Sequence, residues 1–385
     1  MLGKSGVVLL TVVVSVMATA TGVAGRAQPA ATPPQAPPAV SPDTSPLPVV
    51  RGLYLNRFAA QNAGRMRRLL TLADSTEINA FVIDMKDEFG LNYRSASADL
   101  RRNAGAGHGS VRSVPALIDT LKAHGIMPIA RVVVFKDPEA ARVNPAWTIR
   151  QADSREWRDH EGLAWVDPYN RDVWEYNLRV AEELAGFGFE EIQFDYIRFP
   201  EPFQSLPPQV FPAAKGGKTD ALVGFLRLAR TRLNKLGLRS TADVFGMTAT
   251  ARGVLEVGQY WEKMSAVVDV MLPMVYPSHY PRGAFGVERP NNDPYTMVRV
   301  AMDTARVRDE KIGITRKEHV RAWLQAFTLG KPPYGVEEVK LQKRAVYDAG
   351  YQGWILWHPG SQYGAFEGAL APRSERPALG LVHTH

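Results

Sequence analysis

The stretch Glu190-Glu191-Ile192-Gln193-Phe194-Asp195-Tyr196-Ile197-Arg198-Phe199-Pro200-Glu201 decides the fold. Ile192 and Phe194 point to one side of an extended chain, Gln193 and Asp195 to the other, and Pro200 stops the run. A buried strand that ends on a carboxylate is how a parallel barrel presents chemistry. Outward from it the same kind of run recurs at Arg51–Leu55, Ala80–Met85, Met127–Phe135, Ser240–Phe245, Val268–Tyr276, Val320–Phe327 and Gly353–Trp357. With Glu191–Phe199 that makes eight. Helical patterns lie between them, such as Met66/Leu69/Leu70/Ala73, Val114/Leu117/Ile118/Leu121, Leu222/Phe225/Leu226/Ala229/Leu233 and Val298/Ala301/Met302/Ala305. Ser113 and Thr219 are N-cap candidates, and Gly125, Gly237 and Gly350 follow the last helical residues. Eight alternating strand and helix units predict an α/β fold, a (β/α)8 TIM barrel with enlarged βα loops, over residues 49–370. A doubly wound sheet is the alternative. It lacks the Gly-rich phosphate turn such a sheet would use.

The termini read differently. Residues 1–27 carry a basic start, an apolar run from Gly6 to Ala20 and a small-residue exit, the pattern of a signal peptide. The expected location is therefore secreted or periplasmic, with an uncleaved N-terminal anchor as the alternative. Residues 28–48 are rich in Pro and Ala and predict a linker; residues 371–385 read as a flexible tail. The chain has no cysteine, which excludes disulfides, thiol nucleophiles and zinc-thiolate sites. Its net charge of +7 over 385 residues, with no dense Lys/Arg run, gives no reason to expect a nucleic-acid partner. The eight histidines show no H-E-x-x-H spacing, and the one H-x-H, His383-Thr384-His385, falls in the expected tail, so neither metal nor cofactor is expected. There is no G-x-S-x-G elbow.

The strand ends hold carboxylates, cations, amides and aromatic rings together. Sugars offer hydroxyls to such polar groups and C–H faces to the rings, and glycosidic cleavage uses two carboxyls across one bond. Asp195 is the expected nucleophile or base. Asp243, on the next strand and so about 4.8 Å along the sheet, is the first candidate for the acid. Asp84 competes for that role, Glu201 more weakly. Asp84 and Lys86 share a strand face by parity and are expected to pair. Lys86, Arg131, Gln193, Arg198, Tyr276, His279, Gln325 and Trp357 are the expected substrate-binding groups, whereas Asp87 and Glu88 read as loop or solvent-facing. Each has a plainer role open to it: Asp195 in an ion pair with Arg131 or Arg198, Asp243 as a turn cap. Two functions fit: a glycoside hydrolase acting on a cell-envelope or extracellular polysaccharide, or a non-catalytic carbohydrate-binding barrel. A carbohydrate deacetylase fits less well, for want of a metal site.

Several segments carry a family resemblance: Thr76–Asp87, Ile129–Pro138, Trp165–Tyr169, Glu191–Pro200, Asp243–Gly246 and Pro273–Tyr280, in colinear order from about residue 50 to 365. They resemble the bacterial putative glycoside hydrolase domain family. The resemblance implies a TIM barrel and glycosidase activity, and places the carboxylate at the end of strand four on Asp195. One departure is Ala322, where the family pattern has Pro before Trp323. It alters local stiffness and leaves the strand-end chemistry intact.

Overall fold

The computed structural model describes residues 46–105 and 107–379. The expected signal peptide and residues 28–45 of the expected linker lie outside the described residues, as do residues 380–385. Eight strands, β1 (Arg51–Leu55), β2 (Ala80–Asp87), β3 (Met127–Val133), β4 (Glu191–Asp195), β5 (Arg239–Phe245), β6 (Val270–Val275), β7 (Ala322–Gln325) and β8 (Trp354–Trp357), follow the eight predicted runs. Each pairs in parallel with the next, and β8 returns to β1 through Gly52 opposite Ile355, so the sheet closes. The helices that alternate with these strands are α1 (Ala63–Ser75), α2 (Val114–Ala123), α3 (Arg171–Gly186), α4 (Lys218–Asn234), α5 (Trp261–Ser265), α6 (Pro294–Lys311) and α7 (Val336–Asp348), and a 3-10 turn at Gly364–Ala369 takes the eighth position. This is the (β/α)8 barrel.

Parity along each strand builds two cores. Leu53, Phe81, Ile83, Ala130, Ile192, Phe194 and Val244 face the helices. Tyr54, Val82, Ile129, Leu272, Trp323 and Ile355 fill the barrel. Near the N-terminal ends of the strands, buried Glu191 takes Arg321 at 2.7 Å and Arg239 at 3.5 Å, so that polar layer is charge-paired. At the opposite end the long β3–α3, β4–α4 and β6–α6 loops stand over the strand termini. Trp157 and Trp165 anchor the first of these, donating to Pro207 O at 2.8 Å and Asp159 Oδ2 at 2.9 Å.

Some local expectations change. Ser113 caps α2 by accepting from Ala116 N, and Gly125, Gly237 and Gly350 have φ of 67°, 75° and 91° at helix ends. Thr219 is not the cap of α4. Gly217 holds that position, and the Thr219 hydroxyl donates to Gly258 O at 2.8 Å. Helix α3, unread in the sequence, buries Val173, Trp174, Leu178, Val180, Ala181 and Leu184 on one stripe. The expected tail is packed as far as described. Glu77 N donates to Ala371 O, Asn79 Nδ2 to Pro377 O, and Arg376 to Thr76 O and His124 O. These bonds lay residues 371–379 across the N-terminal ends of the strands, where Leu47, from the last residues of the expected linker, is buried as well. Hydrogen bonds to backbone carbonyls, mostly from side chains, order this segment, and they leave no periodic trace in a sequence.

Candidate active site

Four consecutive strands bring the site together. Arg131 on β3 lies between acids from β2, β4 and β5. Its Nη1 donates to Asp84 Oδ1 at 2.5 Å, its Nε to Asp195 Oδ2 at 2.9 Å, and its Nη2 to that same Asp195 oxygen. Asp243 Oδ2 is 4.0 Å from Arg131 Nε. The other oxygen of Asp195 accepts the backbone N–H of Tyr196, a residue held at φ 52°. A bulky side chain in the left-handed region costs of order 1 kcal/mol or more and persists where surrounding contacts enforce it, often at functional sites. Here it turns the chain sharply just after the carboxylate.

Asp84 and Asp243 are held from below. Tyr54 Oη donates to Asp84 Oδ2 at 2.5 Å. Gln193 Nε2 donates to Asp243 at 2.8 and 3.1 Å, and Trp323 Nε1 at 2.6 Å. Burial raises the pKa of Asp84, partly offset by Arg131. Burial and then the Asp195 charge push Asp243 well above the usual carboxylate range. Burial opposes the Arg131 charge, yet Asp84 and Asp195 carry its pKa well above the ordinary arginine value. One guanidinium thus serves three acids, and burial makes the two beneath the cavity, Asp84 and Asp243, harder to ionise than a free carboxyl.

Above this cluster opens a cavity of about 410 Å3. Asp195, Arg131, Arg198, Tyr276, His279 and Trp357 all border it, as the sequence expects of a mouth. Trp357 stacks on Tyr54 and Tyr276, with ring centroids 6.0 and 5.6 Å apart and planes at 28° in both pairs. Arg198 pairs with Glu201 at 2.6 Å beneath the rings of Trp165, Tyr196 and Phe245. Burial drops His279 to about 4, so it is neutral near pH 7.

Other expectations fail. Lys86 does not pair with Asp84. A register shift between Asp84 and Lys86 puts one extra residue into β2, and that bulge turns Lys86 out of the barrel to Asp137 at 2.7 Å, against the Tyr176 ring of α3. Gln193 holds Asp243 and does not border the cavity. Gln325, fully buried, ties the β6 loop by accepting from Ser278 N and Oγ at 3.1 and 2.9 Å. Asp84 and Asp243, expected as acid candidates, likewise lie under the cavity and do not border it. Asp87 is buried against Arg57 at 3.2 Å, and Glu88 borders the cavity. The sequence reading also passed over Tyr54 and Trp323. Trp323 shares its strand face with Gln325 by parity, which was the available signal. Among the described residues, no group of three or more His, Cys, Asp or Glu side chains is arranged to hold a metal ion.

A family model described as "Putative glycosyl hydrolase domain" matches residues 52–363. The chain belongs to this family. No curated protein matches the sequence of this glycosyl hydrolase family member. Among solved structures, a hypothetical protein from Ruminiclostridium thermocellum is 34% identical, with 50% of this chain and 97% of that one covered and a TM-score of 0.45. The PgaB glycoside hydrolase domain from Bordetella bronchiseptica aligns at TM-score 0.55 and 14% identity, covering 82% of this chain and 95% of that one. A chitobiase from Flavobacterium johnsoniae aligns at TM-score 0.51 and 12% identity, covering 82% and 45%. At these identities the last two bear on the fold alone, and the fold they share with this chain is the TIM barrel.

Proposed function

We propose that this glycosyl hydrolase family member is an exported glycosidase that cleaves a cell-envelope or extracellular polysaccharide, with Asp195 as its nucleophile or base. One observation carries the reading. Asp195 is a carboxylate at the end of β4 that borders the cavity while Arg131 and the Tyr196 N–H fix both of its oxygens. A group so held keeps its aim during reaction, and its negative charge sits where an oxocarbenium-like transition state needs it. The stacked Tyr276 and Trp357 rings offer an apolar platform to a sugar face. Family membership supports hydrolysis. Export rests on the N-terminal sequence pattern; among the described residues no helix is long and apolar enough to cross a membrane.

The second reading is a barrel that binds sugar without cutting it. It draws support from Asp84 and Asp243, the expected partner carboxyls, being withdrawn beneath the cavity. Incubating the full chain with a panel of bacterial polysaccharides separates the two. New reducing ends support the glycosidase, and saturable binding with none on any glycan supports the binding barrel.

A further inference from the structure

A glycosidase that uses Asp195 needs a second carboxyl facing the cavity, to protonate the leaving oxygen. Five carboxylates border it, and four are Asp159, Glu161, Asp195 and Glu201. Asp159 is a loop staple, with Oδ1 accepting Glu161 N at 3.0 Å and Leu163 N at 2.9 Å, and Oδ2 accepting Trp165 Nε1 at 2.9 Å. Glu161 is committed to Lys136 at 2.8 Å and Glu201 to Arg198 at 2.6 Å. The fifth is Glu88. Among the described residues no hydrogen bond or ion pair engages its side chain, although its charge acts on Tyr54, Asp84, Asp87 and Tyr196 around the site.

Its placement is built. Glu88 follows the last residue of β2, and the strand end before it is pinned, Lys86 by Asp137 and Asp87 by Arg57, while Phe89 N on its other side donates to Asp87 Oδ1 at 2.9 Å. Gly90 closes the turn at φ 87°, and a Cβ there would stand 2.1 Å from Asn103 O, so only glycine fits. Strands β2 and β4 are separated by β3, which puts their ends roughly 9 to 10 Å apart along the sheet. Side chains converging on the cavity bring carboxyls from those ends towards the ~6.5–9.5 Å window of single-displacement glycosidases.

We propose that Glu88 is the proton donor of this site, an assignment that rests on the glycosidase reading of Asp195. A water oxygen attacks the anomeric carbon and gives its proton to Asp195. The bond from that carbon to the leaving oxygen breaks with its electron pair on the oxygen, which takes the proton of the Glu88 carboxyl. Both carboxyls then return to their starting states by exchange with solvent.

The test uses the full chain as wild type, Glu88→Gln and Asp195→Asn, each checked by thermal melting. The probes are paired 2,4-dinitrophenyl and phenyl glycosides of glucose, galactose, glucosamine and N-acetylglucosamine, read on the pair that the wild type turns over. A dinitrophenolate leaves without help and a phenolate does not. Glu88→Gln is expected to lose on the order of 10²-fold or more in kcat/KM on the phenyl glycoside, to stay within about tenfold on the dinitrophenyl glycoside, and to lose the alkaline limb of the pH profile. Equal losses on both probes, or a raised KM with kcat and the pH profile intact, would overturn it. Undiminished phenyl glycoside cleavage by Glu88→Gln beside an inactive Asp195→Asn overturns Glu88 alone. An Asp195→Asn chain active on both probes overturns the Asp195 reading and removes the base this step requires.

Discussion

Arg131 decides the electrostatics of the site. Its side chain is 12% exposed, and it offers hydrogen bonds to two acids while lying close to a third. Removing it leaves Asp84 and Asp195 facing each other without a counter-charge in a low-dielectric setting. Arg131→Met is therefore expected to cost about 3–5 kcal/mol of stability, measured by denaturant unfolding. Stability unchanged by that substitution would mean the acids are not ionised around it. Residue-scale chemistry was only partly legible in the sequence. Parity along β4 and β6 puts Asp195 and Tyr276 at the mouth, because a strand alternates whatever surrounds it. The same rule fails on β2, where a bulge invisible in the amino-acid string turns Lys86 outward. Glu88 hid for the same reason: a turn residue beyond a bulged strand has no parity to follow.

Elements are tied to one another by a buried polar chain that runs from α5 through α6 to the segment before β7. Ser265 Oγ donates to Asp309 at 2.6 Å and lies 3.0 Å from His319 Nε2, whose Nδ1 meets Asp269 O at 3.0 Å. Burial lowers His319 to about 4 and raises Asp309 to about 6. Between pH 4 and 6.5 the folded state holds fewer protons on His319 than the unfolded state, so this residue's contribution to stability grows as pH rises. Asp309 works the other way. Between about pH 4 and 6 the folded state holds its proton and the unfolded state does not, so stability falls as pH rises. His319→Gln removes the first slope and leaves the second. The Tm difference between wild type and His319→Gln is expected to widen from pH 4 to 6.5, and a constant difference would show that His319 is not the titrating group. Strands were the most legible elements, since short continuous apolar runs such as Ala80–Ile83 and Val270–Leu272 fit strands buried on both faces of a parallel sheet. Helix α3 was missed. Its stripe is broken by Asn177, whose Nδ2 donates to Val173 O at 2.9 Å and so enters the core satisfied.

The described residues form a closed barrel with the candidate site at one end and a strap at the other. Arg376, on the strap, donates to Ala73 O, Thr76 O and His124 O, carbonyls at the C-terminal ends of α1 and α2, where the regular i+4 donors run out. Arg376→Ala is expected to cost about 1–3 kcal/mol in a thermal or denaturant melt with the barrel intact, and an unchanged melt would show the strap to be passive. At this scale the fold was read from the count of strand and helix units, and function from what borders the open end. The most direct measurement is reducing-end release from a panel of bacterial polysaccharides, by wild type and by Asp195→Asn of matched melting temperature. A loss of roughly 10³-fold or more in rate with the fold preserved is the expected result. Hydrolysis by Asp195→Asn at the wild-type rate would contradict the placement of catalysis at the end of β4.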